Sequence, residues 1–202
     1  MDWTEFHGRF QRLAEVCSIW GNSEKDSAHS LQAGLAMGHR LGVVGGTDTH
    51  FSQPGRPVDG PFDLGGITAI LADRLERSAL WDALYARHCY ATTGERILLD
   101  FRVNGHLMGS EVRLSGTRDV TGRVLGTTKL ERVEVIRNNE VWQSIPVSDD
   151  ERVTFEFEDT ERLEEIALEP QVPEHGRFVF YYLRVIQRDR HWAMSSPIWL
   201  IE

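Results

Sequence analysis

The sequence predicts an α/β first half, built as a parallel sheet or part of a β/α barrel, followed by an all-β, sandwich-like tail. Two observations carry this. Helix-period and strand-like segments alternate through the first hundred residues, and after Gly94 helix periodicity gives way to short alternating strands with turn signals between them.

In the first half, Phe6, Phe10 and Leu13 recur at helical spacing. Ala14 to Ile19 reads as a short strand. A second helix is expected over Asp26 to His39, with Ala28, Leu31 and Leu35 on its apolar face and Gly42 shortly past its end. Leu41 to Gly46 is a short apolar strand ending in glycines. A loop containing Pro54, Gly55, Pro57, Gly60 and Pro61 follows. Gly66 to Leu71 reads as a strand, Leu75 to Arg87 as a helix with Leu75, Ala79, Leu80, Ala83 and Leu84 on one face, and Cys89 to Thr93 as a strand. These strands are too few to close a barrel, which implies an incomplete barrel or an unusual architecture.

In the tail, Leu98 to Val103 and Glu111 to Leu114 are strand candidates. Val133 and Val135 alternate with charged neighbours, and Asn138-Asn139 separates that run from Glu140 to Ile145, as a tight hairpin needing positive φ would. Phe178 to Ile186 is apolar on both faces, the pattern of a central strand, and His191 to Ile201 closes the chain. The boundary between the halves is placed at residues 96 and 97.

Composition restricts function. A net charge of -9 opposes non-specific binding to nucleic acid, because a phosphate backbone would be repelled. Two cysteines, Cys17 and Cys89, make no CxxC and no disulfide framework, so a reduced, cytoplasmic setting is the default expectation; a signal upstream is compatible with it. No apolar run reaches membrane-spanning length. The glycine-rich stretch from Gly55 to Gly66 lacks the spacing of a phosphate-binding loop. Residues 139–175 hold 12 Asp or Glu and two Arg, which reads as a solvated charged surface, since no calcium-loop spacing is present.

The local signal with most chemistry is Gly45-Gly46-Thr47-Asp48-Thr49-His50. A buried strand ends, and a carboxylate and an imidazole follow two residues apart. In extended backbone such residues point the same way, toward the strand end where barrel enzymes gather their catalytic groups. An oxygen and a nitrogen donor suit Zn, Mn or Fe. Asp48 and His50 are therefore the candidate metal ligands. Ser18, Glu24 and Arg96 are candidates for substrate binding or support of the ligands, the first two because they sit in the loop after a predicted strand, and Arg96 because a guanidinium can hold an anionic group in a two-pronged contact. Trp20 reads as a packing aromatic, His39 as a charge at a helix C-terminus, and the cysteines as buried small hydrophobes.

The stretches Glu15 to Glu24, Ala36 to Gly42 and Gly46 to His50, followed by Gly65 to Ala69, Ala79 to Arg87, Tyr90 to Phe101, Val103 to Gly105, Met108 to Glu111 and Ser196 to Trp199, resemble consecutive elements of the PHP (polymerase and histidinol phosphatase) superfamily, in its carbaryl-hydrolase-like branch. The resemblance implies that residues 1–96 are the C-terminal part of a distorted β/α barrel and residues 97–202 a β-sandwich-like domain. It further implies a metal-dependent hydrolase of phosphate or related small-molecule esters using a divalent metal, with Asp48 and His50 as the last ligand pair and Glu15, on a strand that resembles a family element near the site, as a further candidate for substrate binding or support of the ligands. The chain departs from that family in having no HxH pair, so its ligand set is incomplete. Pairing with a missing N-terminal half, or self-association, is the corresponding expectation. The alternative is a non-catalytic remnant or an assembly module using the sandwich tail.

Overall fold

The computed structural model describes residues 2–50, 65–113, 116–171 and 176–201. Its elements are a 3₁₀ turn at Trp3–Glu5, then β1 (Leu13–Ser18), β2 (Gly21–Asn22), α1 (Leu31–Ala36), β3 (Gly42–Gly45), β4 (Ile67–Ile70), α2 (Arg77–Tyr85) and β5 (Cys89–Thr92). The tail adds β6 (Leu98–Val103), β7 (His106–Leu107), β8 (Glu111–Arg113), β9 (Arg118–Leu125), β10 (Leu130–Arg137), β11 (Glu140–Ile145) and β12 (Arg152–Asp159). It ends with α3 (Leu163–Ile166), β13 (Phe178–Gln187), β14 (Trp192–Ser195) and β15 (Ile198–Ile201).

The molecule is mostly β, and the expected part of a β/α barrel is absent from the described residues. Among the described residues of the first half only β1 and β3 pair in parallel, around α1. The second helix does not carry its strand to a parallel position. After α2, β5 returns antiparallel to β4, and its other edge pairs antiparallel with β14 from the end of the chain. An alternation of strand and helix in sequence thus produced an antiparallel sheet, because β5 found its second partner about a hundred residues away.

Three layers result. The middle one is an eight-stranded sheet running β11-β10-β13-β14-β5-β4, with β15 and β8 attached through β13. A four-stranded sheet, β12-β9-β6-β7, covers one face; β2-β1-β3 and α1 cover the other. The middle sheet contains strands from both sides of the 96/97 position.

Strand β13 shows how the sequence specifies this. Side chains alternate across a strand. Val179, Tyr181, Leu183 and Val185 enter the core shared with the four-stranded sheet, while Phe178, Phe180 and Tyr182 enter the core shared with β1, β3 and α1. All seven are fully buried. The hairpin between β10 and β11 turns on Asn138 and Asn139, at φ 52° and 69°, a backbone region that asparagine tolerates better than most residues.

The two N-terminal helices differ from expectation. No α-helix forms over Phe6 to Leu13; a 3₁₀ turn capped by Asp2 and a turn at residues 8–10 precede β1. The expected helix over Asp26 to His39 shrinks to Leu31–Ala36. Asp26 sits at φ 71°, which breaks a helical run, and Ser30 caps the helix by accepting from the Ala33 amide at 3.3 Å. The proline- and glycine-containing loop around residues 54–61 lies outside the described residues.

Buried polar side chains tie the layers together. Asp159 accepts from Tyr181 and pairs with Arg118 at 2.7 Å and Arg137 at 2.9 Å. Burial opposes its ionisation, but the hydrogen bonds from Tyr181, Arg137 and Arg118 outweigh that and hold its carboxyl below the usual aspartate range. On the opposite face of the middle sheet, Glu24 accepts from Tyr182 at 2.7 Å and pairs with Arg184 at 2.8 Å, and Arg184 also pairs with Glu134.

Candidate functional site

Two surface features stand out, at opposite ends of β1. The first is the strand-end cluster read from sequence. Gly46 N donates to Cys17 O and Ile19 N donates to Thr47 O, so the residues after β3 lie beside those after β1. His50 Nε2 stands 3.5 Å from Asp48 Oδ1, with both side chains well exposed. Asp48 sits at φ 50°, so this segment is not extended, and the pair meets through a local turn instead of strand alternation. Trp20 Nε1 donates to Asp48 O at 3.3 Å, and its ring centroid lies 6.3 Å from that of His50. Trp20 is 70% exposed and forms a wall of this cluster, contrary to the packing role expected for it. Glu15 reaches toward the same place. Gly46 leaves room for it, since any side chain there would overlap the Glu15 carboxylate. Partial burial, and then the Asp48 charge, raise the Glu15 carboxyl above its usual range.

The other predicted residues fall elsewhere. Ser18 is buried and accepts from the Trp20 amide at 3.1 Å, so it shapes the loop and does not face solvent. Glu24 is 2% exposed and committed to Tyr182 and Arg184. Arg96 is exposed, and among the described residues no ion pair joins it to the cluster. The His39 ring is buried against Phe6 and Trp3, with Nε2 3.0 Å from Trp3 O, and it is the His39 backbone amide that reaches the C-terminus of α1, donating to Gly34 O at 3.1 Å. Cys17 and Cys89 are buried, and their thiols are pushed up to about 12 and about 11, first by burial, which keeps them unreactive.

Among the described residues no group of three or more His, Cys, Asp or Glu side chains converges to hold a metal ion. Asp48 and His50 supply two donors, and a divalent ion there needs further donors from beyond the described residues.

The second feature is an apolar groove of about 620 Å³ between the segment before β1 and helix α2. Phe10 is 73% exposed, Trp81 66% and Tyr85 44%. Arg12 holds the two walls together: its guanidinium lies 4.7 Å from the centre of the Tyr85 ring, and its Nε donates to Tyr85 O at the helix C-terminus, where a positive charge is favoured. Arg9 lies over Phe10. Helix α2 buries a single residue, Ala83. Of the predicted apolar stripe, Ala83 is buried and Ala79, Leu80 and Leu84 are half-buried, while Leu75, which precedes the helix, is 91% exposed. The sequence reading missed the groove. Trp81 and Tyr85, four residues apart and off the predicted stripe, were the available signal.

Residues 60–114 match a family described as protein of unknown function (DUF3604). The chain is 36% identical to an uncharacterized protein of Chlamydia pneumoniae and 32% identical to uncharacterized proteins of Chlamydia trachomatis and Chlamydia muridarum. In each case the match covers 98% of this chain and 36% of the relative, so the chain spans about a third of the length of these relatives. No solved structure matches it. These findings correct the PHP resemblance: the matching family and relatives carry no hydrolase assignment, and the mostly β fold is not a TIM-like barrel. The labels metallohydrolase and phosphoesterase-like fall with it. Among the described residues no helix is long and apolar enough to cross a membrane.

Proposed function

We propose that this chain is a non-catalytic assembly module, whose role is to hold the α2 face in place for another stretch of polypeptide. The observation that supports the reading is the state of α2. A nine-residue helix turns Ala79, Leu80, Ala83 and Leu84 toward a well-packed body and leaves Trp81 and Tyr85, on a second apolar face, exposed. Surface helices of folded proteins ordinarily bury an apolar stripe, and contiguous exposed apolar area marks interaction surfaces. The length of the relatives agrees with this, since they carry nearly twice as much further polypeptide beside the matched region.

Site-specific photo-crosslinking in cells tests the reading. A photoreactive residue at position 81 is expected to give one crosslinked product of defined mass, and the same residue at Glu156, on the four-stranded sheet, none. Diffuse labelling of equal strength from both positions contradicts it.

A further inference from the structure

The groove has a charge pattern that specifies its occupant. The chain as a whole is acidic, at -9. Yet the charged residues lining the groove are Arg9 and Arg12, both cationic, set beside an apolar floor of Phe10, Leu84, Trp81 and Tyr85. Local charge of one sign on a surface of the other selects partners and aligns them. The two guanidiniums also lie over aromatic rings, at 5.6 Å for Arg9 on Phe10 and 4.7 Å for Arg12 on Tyr85, so their planes extend the apolar surface while their edges still offer hydrogen-bond donors.

We infer that the groove takes an amphipathic helical segment whose apolar stripe is flanked by carboxylates, the aromatic floor burying the former and Arg9 and Arg12 pairing with the latter. The inference rests on the assembly reading and adds the chemistry of the partner. A second copy presenting the same face is a poor fit, because a two-fold contact sets each arginine pair close to its like-charged counterpart. Basic segments and nucleic acid are disfavoured in turn, the first by the arginines and the second by the charge of the whole chain.

Two labelled peptides test this by fluorescence anisotropy: a 14-residue helix with leucines at i, i+3, i+4 and i+7 and glutamates elsewhere, and its counterpart with lysines in place of glutamates. The glutamate peptide is expected to bind about five-fold more tightly, the size of two exposed ion pairs. Added salt shrinks the preference. Arg9→Glu, whose side chain touches only the exposed Phe10 ring among the described contacts, is expected to remove most of it. Trp81→Ala and Phe10→Ala weaken both peptides alike. Equal binding of the two peptides, or binding untouched by all three substitutions, overturns the inference. So does concentration-dependent self-association of the chain that Trp81→Ala abolishes, which assigns the groove to a second copy. The two claims fail separately. A defined crosslink at position 81 together with no preference for the glutamate peptide leaves the assembly reading standing and removes only the partner's chemistry. Diffuse labelling at position 81 removes the assembly reading itself.

Discussion

Strand β13 and helix α2 are of nearly equal length, ten residues and nine, and both are rich in aromatic and aliphatic side chains. Eight residues of β13 are buried, on two faces against two separate cores; α2 buries one. Apolar content is therefore not what separates them. Strand β13 is covered on both faces, whereas the described residues cover α2 only along Ala79, Leu80, Ala83 and Leu84 and leave Trp81 and Tyr85 exposed. The comparison teaches that an element's stability here is set by where its covering layer comes from. For β13 that layer lies within the chain, and for α2 we place it in another segment.

Substitutions that cut into each region sharpen the contrast. Phe180→Ala is expected to have the largest effect, about 4 kcal/mol in denaturant unfolding, because a fully buried aromatic leaves a cavity between packed layers. Asp159→Asn follows at about 3 kcal/mol, since Arg118 and Arg137 lose their shared carboxylate while Arg118 stays buried. The same carboxylate gives a pH dependence. Its folded pKa is lowered, so its contribution is fully present above the ordinary aspartate value of about 3.9 and is lost as pH falls through the lowered folded value. Acid unfolding of the wild type should carry this loss, and Asp159→Asn should flatten it.

At the other end of the scale, Trp81→Ala and Phe10→Ala are expected to change stability by no more than about 0.5 kcal/mol, as befits exposed positions, despite removing larger or equal side chains. A loss of several kcal/mol at either position would mean that α2 is already covered. The smallest effect concerns the strand-end cluster. Purified wild-type chain and the Asp48→Ala/His50→Ala variant are expected to carry the same, sub-stoichiometric amounts of Zn, Mn and Fe by elemental analysis, because two exposed donors bind a divalent ion weakly.

Local features of the tail were legible in the sequence. Asn138-Asn139 announced its hairpin because few residue pairs accept two consecutive positive φ angles. The run Phe178 to Ile186 announced a strand buried on both faces because no alternation was left for solvent. The architecture of the first half was not legible. The pairing of β5 with β14 joins residues about a hundred positions apart, and nothing local in Cys89 to Thr92 indicates an antiparallel partner. Helix periodicity over Asp26 to His39 was overridden by the turn at Asp26 and the cap at Ser30. Asp48 and His50 lie 3.5 Å apart, brought together by a turn at Asp48 and not by an extended strand, which the two-residue spacing alone could not show. The groove was not found, because a hydrophobic stripe reports a helix's period and cannot report whether anything covers it.

Native-state hydrogen exchange on the isolated chain tests the central contrast most directly. Amides within α2 that donate inside the helix, such as Leu80, should exchange by local opening, at least about 100-fold faster than the amides of β13 between β10 and β14, which open only with global unfolding. Equal protection of the two elements would contradict the account, since it would show that α2 draws its stability from within the chain and needs no covering segment.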